Sequence, residues 1–298
     1  MQKTFVVYLI MLLPPIFWAG NFVVGRAVAD STGPLGLAFS RWSLALLFLV
    51  PFIVKPLWQH RGTIRKHLLA LSILAILGVS SFNTIAYIAL QQTTATNAIL
   101  LNSFIPIFIL VISGVFLKEK ICKKQLFGVF VSLLGVISII SRLDLSVIQN
   151  LSINKGDLWM LLAALVWAFY SILLKYLRPK DLPQLLFLGV LIILGVLFLF
   201  PVFLLNPFNE EAIVWTPLNL KAIFYIALFP SIIATLSWNF GISKIGAAKG
   251  GQFIHLMPFV GAILAIVFLG ETLELFHLLG AGFIALGLWL SLFNKKSN

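Results

Sequence analysis

Ala247–Glu271 reads AAKGGQFIHLMPFVGAILAIVFLGE, and an earlier stretch, Ala95–Glu119, reads ATNAILLNSFIPIFILVISGVFLKE. A shift of 152 residues places Ala95 on Ala247, Pro106 on Pro258 and Val115-Phe116-Leu117 on Val267-Phe268-Leu269. Glu119 then falls on Glu271, and further on Gly128 meets Gly280 and Gly135 meets Gly287. Self-similarity at about half the chain length marks an internal duplication, and missing it mis-assigns the whole fold. Two long apolar helices carry a proline at the same internal place and a glutamate just beyond the same end.

Of the 298 residues, 61% are hydrophobic and 10% charged. A soluble domain carries about 25% charged residues, so this chain could not cover its own surface in water. Its apolar runs are long enough to cross a bilayer, which takes ~20 residues per helix. A transmembrane β-barrel would show ~10-residue alternating segments instead, and none are visible. The fold class is an all-α polytopic membrane protein with the lipid bilayer as its surroundings. The net charge of +12 sits in short Lys and Arg clusters between apolar runs, as loop charges do, which argues against a nucleic-acid partner. The single cysteine, Cys122, rules out an intramolecular disulfide and a multi-cysteine metal site. Near the start, an apolar run followed by Ala27-Val28-Ala29 resembles a signal peptide with its cleavage site. The run, about 4–24, exceeds the usual ~7–15-residue signal core. Its Trp18-Ala19 also recurs as Trp167-Ala168, so the segment is expected to be retained.

Hydrophobic runs between breakers give ten spans, at approximately 5–25, 35–54, 68–90, 96–117, 125–141, 157–176, 184–205, 219–241, 250–270 and 277–293. They fall into a first repeat over 5–141, a connector over 142–156 and a second repeat over 157–293. With the N-terminus cytoplasmic, that side holds Lys3; Lys55, Arg61, Arg65, Lys66; Lys118, Lys120, Lys123, Lys124; Lys175, Arg178, Lys180; Lys244, Lys249; and Lys295, Lys296. Only Arg26, Arg142, Lys155 and Lys221 face the other side, with Arg41 inside span two. Such a bias places both termini in the cytoplasm. Five spans per half is odd, so the second half enters from the opposite side and is inverted. Glu119 is wrapped in lysines, whereas Glu271 sits among Thr272, Leu273 and Glu274. Inverted repeats are a recurring plan of secondary transporters, with the substrate held near the midplane between them.

All nine Asp and Glu fall in loops or at span ends. Ion-coupled carriers commonly bury an acid at membrane depth, and a carboxylate relay is not expected here. Arg41 lies just inside span two and reads as a structural charge that snorkels or bonds loop carbonyls. The competing reading is contact with a substrate carboxylate. His255, one turn before Pro258, is either an interhelical hydrogen-bonder or a group that responds to physiological pH. Pro106 and Pro258 each free a backbone carbonyl. As a matched pair they point to helices that shape or gate a binding region.

Polar and aromatic residues recur at helical spacing: Trp18 and Asn21, Asn83 and Tyr87, Trp167 and Tyr170, with Trp238 beside Asn239. Asn102 precedes Pro106 by one turn, and Gln252 precedes His255 by nearly one. Such stripes commonly glue helices together at ~0.6–2 kcal/mol per contact. Several on repeat-related helices point to a shared, uncharged amphipathic cavity. Gly128, Gly135, Gly280, Ala281, Gly282 and Gly287 mark close helix packing, serving either within a monomer or along a dimer seam. No nucleophile-and-base pair, metal cluster or phosphate loop is visible, so neither an enzyme nor a cofactor is expected.

Several motifs carry a family resemblance in their order and spacing: Phe17-Trp18-Ala19-Gly20-Asn21-Phe22, Ser40-Arg41-Trp42, and the Thr-rich start and proline of span four. To these add Gly156-Asp157-Leu158-Trp159, Ala163 through Ala168, and Gly246-Ala247-Ala248 through Pro258 to Gly270-Glu271. With them the chain resembles the ten-helix bacterial members of the drug/metabolite transporter superfamily, built of two EamA-type halves. The resemblance implies a basket of ten helices around a central cavity with alternating access. It also implies that spans one, three, four, six, eight and nine surround a small-molecule substrate. Family substrates include amino acids, purines and other metabolites or drugs, often exported. Many relatives carry a glutamate before the span-nine proline, where this chain has Met257, so no role of that residue transfers. The expectation is an inner-membrane exporter of small neutral or zwitterionic metabolites such as amino acids. The contrasting expectation is a membrane scaffold or sensor with no flux of its own.

Overall fold

The computed structural model describes residues 2–118, 122–141, 143–144, 146, 154–269 and 274–292, the side chains of 2–4 and 265–269 excepted. Glu119 and Glu271, which mark the repeat, lie outside the described residues, as do Lys120, Arg142, Lys295, Lys296 and most of the 142–156 connector. Within the described residues all regular structure is helical. In lipid the backbone must satisfy its own polar groups, and a helix does so within one segment.

Nine described helices are long and apolar enough to cross a membrane: Phe5–Thr32, Pro34–Gln59, Leu68–Gln92, Ala95–Val115, Lys123–Ser141, Lys155–Leu177, Gln184–Leu205, Pro217–Ile245 and Leu275–Leu292. They match spans one to eight and ten. The ninth expected span is interrupted: a helical turn at Ala247–Gly250, a 3-10 segment at Gly251–His255, then a helix at Leu256–Leu269.

The fourth span breaks in the matching place. Its helix stops at Asn102 and resumes at Ile105, and the 152-residue shift sets Ser103 on His255. The two prolines are therefore not kinks within continuous helices. Pro106 and Pro258 lie in the first turn of the helix that follows each break, where a missing N–H costs little. The discontinuity lies one turn upstream of each proline.

A second pair of irregularities obeys the same shift. Span three carries a π-helical segment at Ile76–Ser81, and span eight carries one at Ala227–Ala234. In span eight the cause is legible. Pro230 cannot donate to the carbonyl of Ile226, and the Ser231 hydroxyl donates to it instead, at 2.8 Å. Such π segments cluster at functional sites.

Spans five and ten pack as a self-complementary pair. A Cβ on Gly128 would lie 2.6 Å from the carbonyl oxygen of Gly287, and one on Gly135 would lie 2.6 Å from that of Gly280. Because Gly128 corresponds to Gly280 and Gly135 to Gly287, each contact is the other's image, as a two-fold relation requires. The glycine stripes thus seal the two halves of one chain together. Spans two and seven run antiparallel: Phe39 stacks on Phe203 at 4.5 Å, while near their other ends Ile53 fills the space over Gly189. Spans one, three, six and eight pack between these outer pairs, with spans four and nine completing the bundle.

The start of span two is held by a clasp. Gly33 turns the chain at φ +64°, and Glu210, from the loop after span seven, accepts from the amides of Leu35 and Gly36 at 2.9 and 3.4 Å. Burial pushes the Glu210 carboxyl above the usual range, with the two amide bonds opposing. A carboxyl whose folded-state pKa is raised stabilises fully below its unfolded value of ~4.3 and loses that contribution as pH rises through the folded value. Thermal stability in detergent is therefore expected to rise as pH falls from 7 toward 5. Glu210→Gln is expected to remove that part of the gain, and identical pH profiles for the two proteins would refute the assignment.

Candidate substrate site

Arg41 organises the centre of the bundle. It lies two turns into span two, is only 1% exposed, and neither snorkels nor bonds a loop carbonyl. Its Nε donates to Ser231 Oγ at 2.9 Å, and its Nη1 reaches Asn83 Oδ1 at 2.7 Å, Tyr87 OH at 2.5 Å and Asn21 Oδ1 at 3.2 Å. Tyr87 in turn donates to Asn21 Oδ1 at 2.9 Å. Trp42 and Tyr87 present their rings to the guanidinium at 4.9 and 5.7 Å. Four spans converge on one cation, and every partner is neutral. The Arg26–Asp30 ion pair, by contrast, lies on the surface.

An aromatic cluster adjoins this network. Trp18 and Trp167 meet edge-on at 5.1 Å, and Trp238 lies 5.3 Å from Trp18 and 5.9 Å from Trp167. Tyr170 and Phe82 pack on Trp167 at 4.8 and 4.6 Å. Three neighbouring pairs of residues join the two groups. Trp18 and Asn21 are one turn apart on span one, and Phe82 precedes Asn83. On span eight, Pro230 accepts from Trp18 Nε1 at 3.3 Å while Ser231 accepts from Arg41. The irregular stretch of span eight thus touches both groups.

Several buried polar atoms here have no partner. The donors are Trp167 Nε1, Trp42 Nε1 and Asn239 Nδ2, although Asn239 Oδ1 accepts from Tyr170 at 2.6 Å. The acceptors are Asn102 Oδ1 and Gln252 Oε1, at the breaks in spans four and nine. Each orphaned group costs about 1–3 kcal/mol. Such a concentration is what a site awaiting a polar ligand would show.

The expected residues therefore separate into two groups. Trp18, Asn21, Asn83, Tyr87, Trp167, Tyr170 and Trp238 come together around Arg41 and the aromatic cluster. Asn102, Gln252 and His255 gather at the paired breaks. Asn102 Nδ2 reaches Met257 Sδ at 3.4 Å, and Gln252 Nε2 donates to the Ala248 carbonyl within the same span. His255 bridges three spans, with Nε2 3.1 Å from the carbonyl of Ser103 and Nδ1 2.9 Å from Ser132 Oγ. A carbonyl can only accept, so Nε2 carries the proton and both ring nitrogens are engaged. Ser103 is the residue that the repeat places on His255. The sequence reading missed Phe82, Pro230 and Ser231. Only the proline inside an apolar run could have flagged them.

At one end of the bundle a pocket of about 460 Å³ lies between spans six, seven and eight. Arg178, Lys180, Lys244 and Gln184 are among the residues lining it, and no acid is. Burial holds the Arg178 guanidinium below its usual pKa.

The EamA-like transporter family model matches this chain twice, over residues 5–141 and 154–293. The protein belongs to that family, within the drug/metabolite transporter superfamily. It is a multi-pass membrane transporter and not an enzyme. It is 28% identical to the uncharacterized transporter YyaM of Bacillus subtilis strain 168, over 94% of this chain and 92% of that one. It is 25% identical to a probable terminal-alkyne amino-acid exporter of Streptantibioticus cattleyicolor, over 88% and 85% of the two chains. A crystal structure sharing 15% identity superposes with a TM-score of 0.70, over 98% of this chain and 96% of that one. At that identity the likeness concerns the fold.

Proposed function

We propose that this transporter exports small neutral or zwitterionic metabolites, amino acids first among them, across the bacterial inner membrane by alternating access. The observation that carries the reading is the core between the repeats, where a ring cluster adjoins a polar network, with unpartnered donors there and unpartnered acceptors at the breaks of spans four and nine. Rings suit an amphipathic side chain, and the orphaned polar atoms suit the charged ends of a zwitterion. The relative named as an amino-acid exporter supports the same substrate class. Matched breaks in spans four and nine and matched π segments in spans three and eight supply paired hinges about which the halves rock.

The lysine and arginine bias supports a cytoplasmic position for both termini. On that orientation the basic pocket at Arg178, Lys180 and Lys244 opens to the cytoplasm, where cargo for export is loaded. Cys122 lies on the same side and is exposed. A membrane-impermeant maleimide is expected to label it in inside-out vesicles and not in intact spheroplasts, and the reverse pattern would overturn the orientation. The substrate is found by comparing metabolites inside and outside cells that lack or overproduce the protein. Export predicts that at least one amino acid or similar metabolite accumulates inside on deletion and outside on overproduction. If no metabolite differs, the reading fails.

A further inference from the structure

We propose that Arg41 is the anchor for a carboxylate on the transported molecule, and that this carboxylate is the counter-ion the core lacks. The inference rests on the transporter reading above and narrows its substrate class.

Three donor groups at the site are unused. Arg41 Nη1 is crowded by three acceptors, while Nη2 makes no hydrogen bond to any described residue. Asn21 and Asn83 both turn their amide oxygens to the guanidinium, which leaves the NH₂ group of each without an acceptor among the described residues. An arginine, two amides and an orphaned Trp42 Nε1 thus cluster with donor capacity to spare and no acceptor to receive it. Donors in excess around a fixed cation are the complement of an anion, and the planar guanidinium matches a carboxylate.

Charge selects a molecule with a single carboxylate group. Arg41 is the only buried Lys or Arg among the described residues. A single carboxylate neutralises it, whereas a dianion would leave a surplus negative charge in an apolar interior, at a high desolvation cost. Among the described residues no acid supplies the counter-charge. Asp157 is the one buried acid among the described residues. Its two oxygens are taken by the Thr93 hydroxyl at 2.6 Å and the Asn154 amide at 3.0 Å, where it caps the start of span six. A structural arginine would be expected to have its acid nearby, or to reach for the interface. Arg41 does neither.

Matched acid and amide probes test this directly. L-phenylalanine, L-leucine and indole-3-acetate are each compared with their carboxamides, using thermal shift and tryptophan fluorescence of the purified protein. At least one acid is expected to bind about tenfold or more tightly than its own amide, the discrimination a charge-assisted contact provides. Arg41→Gln should bring acid and amide to within about twofold of each other, and Arg41→Lys should restore part of the preference. Equal binding of acids and amides to the unmodified protein overturns the proposal. So does the absence of carboxylate binding, or an acid preference that survives in Arg41→Gln. Should Arg41→Gln not fold, the acid-to-amide ratio of the unmodified protein still decides. Flux in proteoliposomes separates this from the reading beneath it. If amides are carried as well as acids, the anchor is wrong and the transporter stands.

Discussion

Gly135→Leu is expected to leave little folded protein, and Gly128→Leu the same, whereas Gly282→Leu should fold like the parent. All three glycines lie on spans five and ten, but only Gly128 and Gly135 face the partner helix; Gly282, expected from the sequence to pack closely, points away from it. At Gly135 and Gly128 the new Cβ would lie 2.6 Å from a backbone oxygen of the facing helix. Backbone cannot rotate away as a side chain can, so the helices must separate along their length. Overpacking of this kind costs ~1–3 kcal/mol where neighbours can adjust, and more where they cannot. Against a total stability of about 5–15 kcal/mol, that is enough to lose the fold. At Gly282 nothing lies within 4 Å of the added atom. The check is the monodisperse fraction after detergent extraction, with the melting temperature of what remains. Equal loss in all three variants would mean that spans five and ten do not meet through these glycines.

Trp167 gives the second large effect, and its two substitutions should part company. Its ring touches Trp18, Phe82, Tyr170 and Trp238. Trp167→Ala deletes all four contacts and leaves a cavity, a loss of about 3–5 kcal/mol. Trp167→Phe keeps an aromatic ring and removes an indole N–H that has no acceptor among the described residues. Removing an unsatisfied donor offsets part of the lost packing, so the melting temperature should change little. If that N–H is aimed at cargo, transport falls about tenfold or more in the Phe variant, the worth of one lost hydrogen bond in a dry site. Unchanged transport in a stable Trp167→Phe would remove the indole N–H from the site.

These residues show how far the sequence could be read. The repeat, the membrane class and the polar stripes were legible because each leaves a local trace: a fixed shift, an apolar run, an i, i+3 spacing. The partner of a stripe leaves none. Gly128 and Gly135 announced close packing, but only the fold shows that they face Gly287 and Gly280 of the same chain. The breaks before Pro106 and Pro258 were hidden for a related reason. In a run that is apolar on every side, hydrophobic periodicity does not register where a helix stops and resumes. The π segment of span eight had a trace in Pro230, whereas that of span three had none. Arg41 departs furthest from what its place in the sequence suggests. Near a span end, snorkelling is the ordinary expectation. Its true surroundings come from Asn21, Asn83, Tyr87 and Ser231 on three other spans, and no spacing rule connects them.

The central claim is that a solute passes through the core between two inverted halves. The most direct measurement is counterflow in proteoliposomes loaded with an amino-acid panel, for the unmodified protein and for Trp167→Phe at matched reconstitution. The account predicts saturable exchange of at least one panel member, lost or much reduced in the variant. No exchange of any member in either direction, from protein shown to be folded, would contradict it.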